Sequence, residues 1–274
     1  METLGILLSS ALISAIVGTV AGHLSQRRLA KHQAQIDYEL IAKRRLYEAL
    51  GPIRFQLLIA ARDVVRRVRP HSAQAWNMEV DDYYVSSFIY RLLRPLALSE
   101  LVERQMAIVD FSVDPAGREL LRFEISAYRI LTASDPLPYH KGLDWSRETQ
   151  HVFRDNLRLA ASALIVDESD GRQRVVDYSE FLQRAIMQVD SLSSLRRLFG
   201  SCKANLTENP VLWLRIVGYT YACLWLIEAQ GTSLGFGPQQ LDLRSMLCAV
   251  SDPEILAHLD DYPRIFDEVL AELL

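Results

Sequence analysis

The pattern of hydrophobic and polar positions changes once within the first thirty residues. No charged residue occurs from Leu4 to Gly22, a stretch of nineteen aliphatic, small and hydroxyl residues. A helix rises about 1.5 Å per residue, so this stretch would span roughly 28 Å, close to the ~30 Å hydrocarbon thickness of a bilayer. The pattern predicts a transmembrane anchor over residues 1–24.

The charges that flank the apolar stretch indicate how it is inserted. Glu2 precedes it, whereas Arg27, Arg28 and Lys31 follow it. A cleaved signal peptide carries positive charge before its apolar run, so this order favours a retained signal-anchor. Because positive flanks stay on the cytoplasmic side, we expect a single-pass protein of a bacterial-type inner (plasma) membrane. Its N-terminus would lie outside, its bulk in the cytoplasm, and membrane lipid would be its first partner.

Small residues share one side of the predicted anchor helix. At 100° per residue they fall in one arc, opposite bulky residues such as Leu12, Ile13 and Val17. A small face lets a second helix backbone approach closely, as in the GxxxG pattern, which predicts a homo-oligomer. An alternative is a membrane-permeabilising ring in which the hydroxyl groups line a polar path. The predicted oligomerisation face consists of Ser10, Ala11, Ser14, Ala15, Gly18 and Gly22.

Residues 25–51 are predicted to form a basic juxtamembrane helix, because this stretch lacks internal Gly and Pro and is rich in helix formers. Leu29, Ile36 and Leu40 follow a 3,4 spacing, which leaves open a juxtamembrane coiled coil or an amphipathic helix that folds back on its own domain. We expect Gly51-Pro52 to end or kink the helix. The predicted membrane-surface basic residues are Arg27, Arg28, Lys31, Lys43, Arg44 and Arg45.

The remaining chain, residues 52–274, is predicted to be an all-helical cytoplasmic domain, so the predicted fold class is all-α. Helix starts are marked by a capping residue before proline at Asp114, Asn209 and Asp252, and by the capping-box spacing of Asp177 with Glu180. No strand alternation of useful length competes. The expected helices cover 53–68, 80–94, 99–111, 115–132, 145–165, 177–199, 210–229, 240–249 and 253–273.

The segment 210–229 is nearly as apolar as the predicted anchor. It carries Arg215, and a central arginine costs roughly 2.5 to 3.5 kcal/mol in a membrane helix. We therefore expect the central buried helix of the domain, with a second membrane crossing as the alternative.

Composition excludes several function classes. The net charge of -4 gives no reason to expect nucleic-acid binding. Cys202, Cys223 and Cys248 are odd in number and share no short spacing, so they indicate reduced thiols and neither a disulfide scaffold nor a zinc site. No two of the six histidines lie three or four residues apart, and no glycine-rich loop has phosphate-binding spacing. We therefore expect no metal and no cofactor.

One candidate catalytic pair remains. Arg66 and His71 have the R-x4-H spacing that is found in HEPN ribonucleases, in which imidazole accepts a proton and arginine holds phosphate. A chain so rich in arginine gives such a pair by chance, so the spacing alone establishes no family. The alternative function is thus a permeabilising or HEPN-like ribonuclease effector of a bacterial defence system.

The favoured hypothesis is non-enzymatic. The anchor would hold copies of the protein together in the membrane, and the helical domain would bind or sense a protein partner that the sequence does not identify.

Overall fold

The computed structural model describes residues 2–72, 83–106, 115–140, 151–183, 190–200, 209–237 and 241–272, and for residues 2–21 it describes the backbone alone. The described part is mostly helical, which confirms the all-α class. The helices are α1 (Glu2–Val68), α2 (Tyr83–Met106), α3 (Pro115–Thr132), α4 (Arg154–Ser162), α5 (Tyr178–Gln183), α6 (Asp190–Gly200), α7 (Pro210–Gly231), α8 (Leu243–Leu247), α9 (Pro253–Ala257) and α10 (Tyr262–Ala271).

The chain divides into two compact units, Met1–Glu48 and Ala49–Leu274. The first unit is helical throughout its described backbone. From Ser25 to Ile41 every side chain is exposed, so this helix is held by its own backbone and by pairs along its surface. The pairs are Gln33 with Asp37 at 3.2 Å, Gln35 with Glu39 at 3.2 Å, and Arg44 with Glu48 at 2.8 Å.

The second unit is built around α7. This helix packs most extensively against α3 and also contacts α8 and α10. Most of its side chains are buried, including Trp213, Arg215 and Tyr219. The expected central core helix at 210–229 is therefore present, two residues longer than predicted.

Three buried side chains of α7 connect it to three neighbouring helices. Tyr219 donates a hydrogen bond from its hydroxyl to the Leu92 carbonyl of α2 at 3.0 Å. Trp213 Nε1 donates to Met246 of α8 at 2.8 Å, and Arg215 Nη1 donates to Ile130 of α3 at 2.9 Å. Polar groups that are buried at these depths would otherwise lose their hydrogen bonds to water.

Among the described residues, Pro210–Gly231 is the helix that is long and apolar enough to cross a membrane, and 83% of its most apolar window is buried inside the fold. Core helices of soluble proteins meet the same criterion. The finding gives no support to the predicted anchor at residues 1–24. Because the side chains of residues 2–21 lie outside the description, the anchor stays a prediction.

Two helices continue through prolines at which a helix boundary was considered. The helix that was expected to end or kink at Gly51-Pro52 does not end there, because α1 continues to Val68. Likewise α2 passes through Pro95, where a break between 94 and 99 was expected. In both cases the helix beyond the proline carries buried apolar side chains, such as Leu57, Val64 and Leu96. Apolar packing thus outweighs the loss of one backbone hydrogen bond.

Two further corrections concern short elements. The expected loop at 167–173 closes a hairpin of β1 (Ile165–Asp167) and β2 (Gln173–Val175), which pair antiparallel with Val166 opposite Arg174. Gly171 takes the positive φ of 81° that its turn requires. The single helix expected over 253–273 is divided into α9 and α10, because Pro263 lies in the first turn of a new helix.

Candidate functional site

The predicted basic residues of the first unit lie on an accessible helix. Arg27, Arg28 and Lys31 are exposed. Arg44 and Arg45 are also exposed, Lys43 is half-buried, and Arg44 forms an ion pair with Glu48 along the same helix. The described helix thus presents its positive charge to its surroundings rather than burying it.

The predicted oligomerisation face falls almost entirely outside the described side chains. Of its six residues only Gly22 is described, and it is exposed, with nothing within 4 Å of the position that a Cβ would occupy. The backbone of the other five is α-helical. The face itself stays a prediction.

The candidate catalytic pair is only half described. Arg66 is exposed in the last turn of α1. His71 lies in the 3-10 turn Arg69–Ser72 that follows, and its side chain lies outside the described residues. The ribonuclease alternative therefore gains no geometry from the structure.

A carboxylate cluster that sequence reasoning missed lies where α2, α3 and α4 meet. Glu100 and Glu124 are both at least 95% buried, and Glu103 lies one turn from Glu100 at the surface. The guanidinium of Arg158, on α4, lies close to all three carboxylates. It contacts Glu103 directly. Its Nε lies 3.5 Å from Glu100 Oε1, and its Nη2 lies 4.0 Å from Glu124 Oε1.

Hydrogen bonds fix Glu100 within this cluster. Its Oε1 accepts from the Tyr128 hydroxyl at 3.2 Å, and its Oε2 accepts from the Ser162 hydroxyl. Arg104, one turn along α2, places its Nη2 3.9 Å from the same carboxylate. These donors hold the buried Glu100 carboxylate in one position.

Glu124 is also buried, but among the described residues it has fewer hydrogen-bond donors around it than Glu100 has. Its Oε2 is buried and makes no hydrogen bond to the described residues. The pKa of Glu124 is raised to about 8: burial is the largest cause, and the negative charge of the neighbouring Glu103 acts in the same direction, against the attraction of Arg158. Glu124 is therefore largely protonated at neutral pH.

The cluster has no metal-site geometry. The described part of the chain holds no group of three or more His, Cys, Asp or Glu residues arranged to bind a metal ion. The cluster's three carboxylates lie beside the guanidinium groups of Arg158 and Arg104. Comparisons of the chain with protein-family models, with curated proteins and with solved structures found no match. Function is therefore inferred from the chain's own residues.

A sequence signal for this cluster exists. In α3 the buried side chains Leu120, Phe123, Ala127 and Tyr128 recur at helical spacing, and Glu124 falls among them on the same face. An acid on the apolar face of an amphipathic helix indicates a buried ionisable group. The sequence does not show that Glu100, Glu103 and Arg158 converge on it.

Proposed function

We propose that this protein is a single-pass membrane protein that associates with copies of itself through its N-terminal helix and presents a mostly helical cytoplasmic unit to a protein partner. The observation that carries the proposal is one α-helical backbone from Glu2 onward, on which the uncharged stretch Leu4–Gly22 is followed by exposed Arg27, Arg28 and Lys31. An apolar helix of bilayer length with a basic, solvent-facing flank has the composition of a signal-anchor.

The three nearest cations are the ones that suit a membrane surface. Arg27 lies five residues beyond Gly22, or about 8 Å along a helix axis. Lys43, Arg44 and Arg45 begin about 32 Å beyond Gly22, several times the ~8 Å Debye length at physiological ionic strength. In a helix that stands along the bilayer normal, only the first group meets anionic headgroups, at about 1 kcal/mol per charge.

Membrane anchorage and orientation can be tested with a native thiol. Cys248 is exposed, whereas Cys223 is fully buried. We expect the protein to remain in carbonate-washed membranes, and a membrane-impermeant maleimide to label Cys248 only after the membrane is permeabilised. The variant Cys248→Ser supplies the background labelling. A protein released by carbonate, or labelled equally in intact cells, would contradict the proposal.

Self-association through the anchor is tested by enlarging its small face. The double substitution Gly18→Leu and Gly22→Leu should reduce cross-linked oligomers several-fold, because leucine side chains keep the helix backbones apart. Val17→Leu and Val20→Leu add volume on the other side of the same helix and serve as the matched control. Equal cross-linking of the two double variants would remove the packing face from the proposal.

A further inference from the structure

The exposed helix of the first unit carries an apolar stripe, which we define as Leu29, Ile36, Leu40 and Tyr47. All four are exposed, with 71% of Leu29 and 62% of Leu40 accessible to solvent. At 100° per residue the four fall within an arc of about 40°. The intervening positions of the same 3,4 repeat are Gln33 and Lys43. This is the spacing of the contact positions of a coiled coil.

Charges on either side of the stripe complement those of an identical helix. In a parallel coiled coil, the residue just before every second contact position lies opposite the residue five places later on the second helix. Here those contact positions include Gln33 and Leu40. That rule places Glu39 opposite Arg44 of the second copy, and His32 opposite Asp37 of the second copy. The first pair places a carboxylate opposite a guanidinium, and the second places an imidazole opposite a carboxylate. The Arg44 to Glu48 ion pair within one helix is exposed, so exchanging it costs little.

Membrane anchorage also selects the direction of the pairing. Anchors that cross the bilayer in the same orientation release their helices on the same side, parallel and at the same height. Gln33 of each copy then meets Gln33 of the other, and a polar residue at a contact position fixes register. Four apolar residues per copy make a weak coiled coil, but tethering in one membrane raises its effective concentration.

We infer that the apolar stripe binds a second copy of this chain, parallel and in register. The inference rests on the proposed function, because the membrane anchor supplies both the direction and the effective concentration. It assigns to the juxtamembrane helix a role as a second self-association surface, beyond the small face of the anchor.

Cysteine cross-linking of the full-length protein in native membranes tests this inference. In a Cys248→Ser background, Leu29→Cys and Ile36→Cys should each form disulfide-linked dimers under a mild oxidant, at several times the yield of Ala34→Cys. Ala34 is exposed and lies about 140° around the helix from the stripe. An antiparallel pair cannot bring both residue 29 and residue 36 opposite themselves, so cross-linking at one site only overturns the parallel register.

A charge exchange adds a readout that general proximity would not give. Glu39→Arg and Arg44→Glu should each lower the Ile36→Cys cross-link several-fold, and combining them should recover most of the yield. If neither stripe cysteine cross-links while the protein stays in carbonate-washed membranes, the inference is wrong and the proposed anchorage stands. If carbonate releases the protein, both fail.

Discussion

The ring of Tyr139 stacks on the imidazole of His258, with centroids 3.5 Å apart and planes within 3° of each other. Both side chains also reach the same atom: the Tyr139 hydroxyl donates to Asp261 Oδ2 at 2.7 Å, and His258 Nδ1 lies 3.1 Å from it. These contacts join the segment after α3 to the turn between α9 and α10, which is the turn where a single longer helix was expected.

The first prediction concerns this shared carboxylate. The Tyr139 hydrogen bond first, and the His258 contact second, lower the pKa of Asp261 in the folded protein. A lowered folded-state pKa contributes stability that is present above the unfolded value, near 3.8, and is lost as pH falls through the folded value. Tyr139→Phe keeps the ring but removes the donor, so it should weaken the dependence of Tm on pH in the acid range. Phe153→Leu, a change at a half-buried aromatic residue elsewhere, is the control. If Tm falls with decreasing pH as steeply in Tyr139→Phe as in the wild-type protein, the prediction is wrong.

The second prediction concerns Glu124 and has the opposite sign. Its folded-state pKa is raised from 4.5 to about 8. The stability contributed by its protonated form is therefore fully present below about pH 4.5 and is lost as pH rises through 8. One pKa unit corresponds to about 1.4 kcal/mol, so the whole effect amounts to a few kcal/mol at most. Glu124→Gln, which mimics the protonated acid, should flatten the fall in the free energy of unfolding between about pH 5 and pH 9.

A companion variant isolates the contribution of Glu103 to the raised pKa of Glu124. Glu103→Gln removes a neighbouring negative charge but leaves Glu124 buried, so it should lower the pKa of Glu124 without restoring an ordinary value. The midpoint of the alkaline destabilisation should then move to lower pH. A midpoint unchanged from that of the wild-type protein would show that Glu103 does not act on Glu124.

The third prediction compares two glycines in helices. A Cβ on Gly218 of α7 would lie 2.6 Å from Phe266 Cε1 and 2.9 Å from Ile130 Cγ2, whereas one on Gly51 of α1 meets nothing within 4 Å. Gly218→Ala should destabilise the protein by about 1 to 3 kcal/mol, because the aromatic ring and its neighbours must shift. Gly51→Ala should stabilise it by roughly 0.5 to 1 kcal/mol through helix propensity. Chemical denaturation of both variants checks the difference, which similar values would refute.

The fourth prediction concerns the start of α5. Asp177 Oδ1 accepts from the Glu180 backbone N–H at 2.8 Å, and Glu180 Oε2 accepts from the Asp177 backbone N–H at 3.0 Å. This reciprocal capping box confirms the sequence prediction. Asp177→Ala should cost about 1 kcal/mol of stability, and Asp177→Asn, which retains a capping oxygen, only a fraction of that. Equal losses in the two variants would mean that the cap is not the cause.

The same cue, proline, gave both the best and the worst of the sequence predictions. Pro115 and Pro210 begin helices at the predicted positions, and α3 matches its expected range of 115–132. Pro52 lies inside a helix where an end or a kink was expected, and Pro95 lies inside a helix where a break was expected. Proline is tolerated in a helix when the turns around it are held by apolar packing. That packing depends on partners far away in the chain, which local spacing does not show.

The candidate site was less predictable than the fold. The cluster of Glu100, Glu124 and Arg158 draws on three helices, and only the placement of Glu124 on an apolar face is visible along the chain. The hairpin at 165–175 was missed because each strand has three residues, too few for alternation to be recognised. Local patterns predict elements, whereas the approach of side chains from different elements is a tertiary property.

Trp213, Arg215 and Tyr219 of α7 each donate a hydrogen bond to a main-chain oxygen atom of a neighbouring helix, those of Met246, Ile130 and Leu92. Every amino acid supplies such an oxygen, whatever its side chain. A substitution at Leu92, Ile130 or Met246 therefore has to preserve the size and apolar character of the side chain, but it does not remove the hydrogen-bond acceptor. The donor atoms belong to the side chains of Trp213, Arg215 and Tyr219, so replacing one of these residues removes the hydrogen bond. In related sequences we expect these three residues to be retained and the acceptor residues to vary.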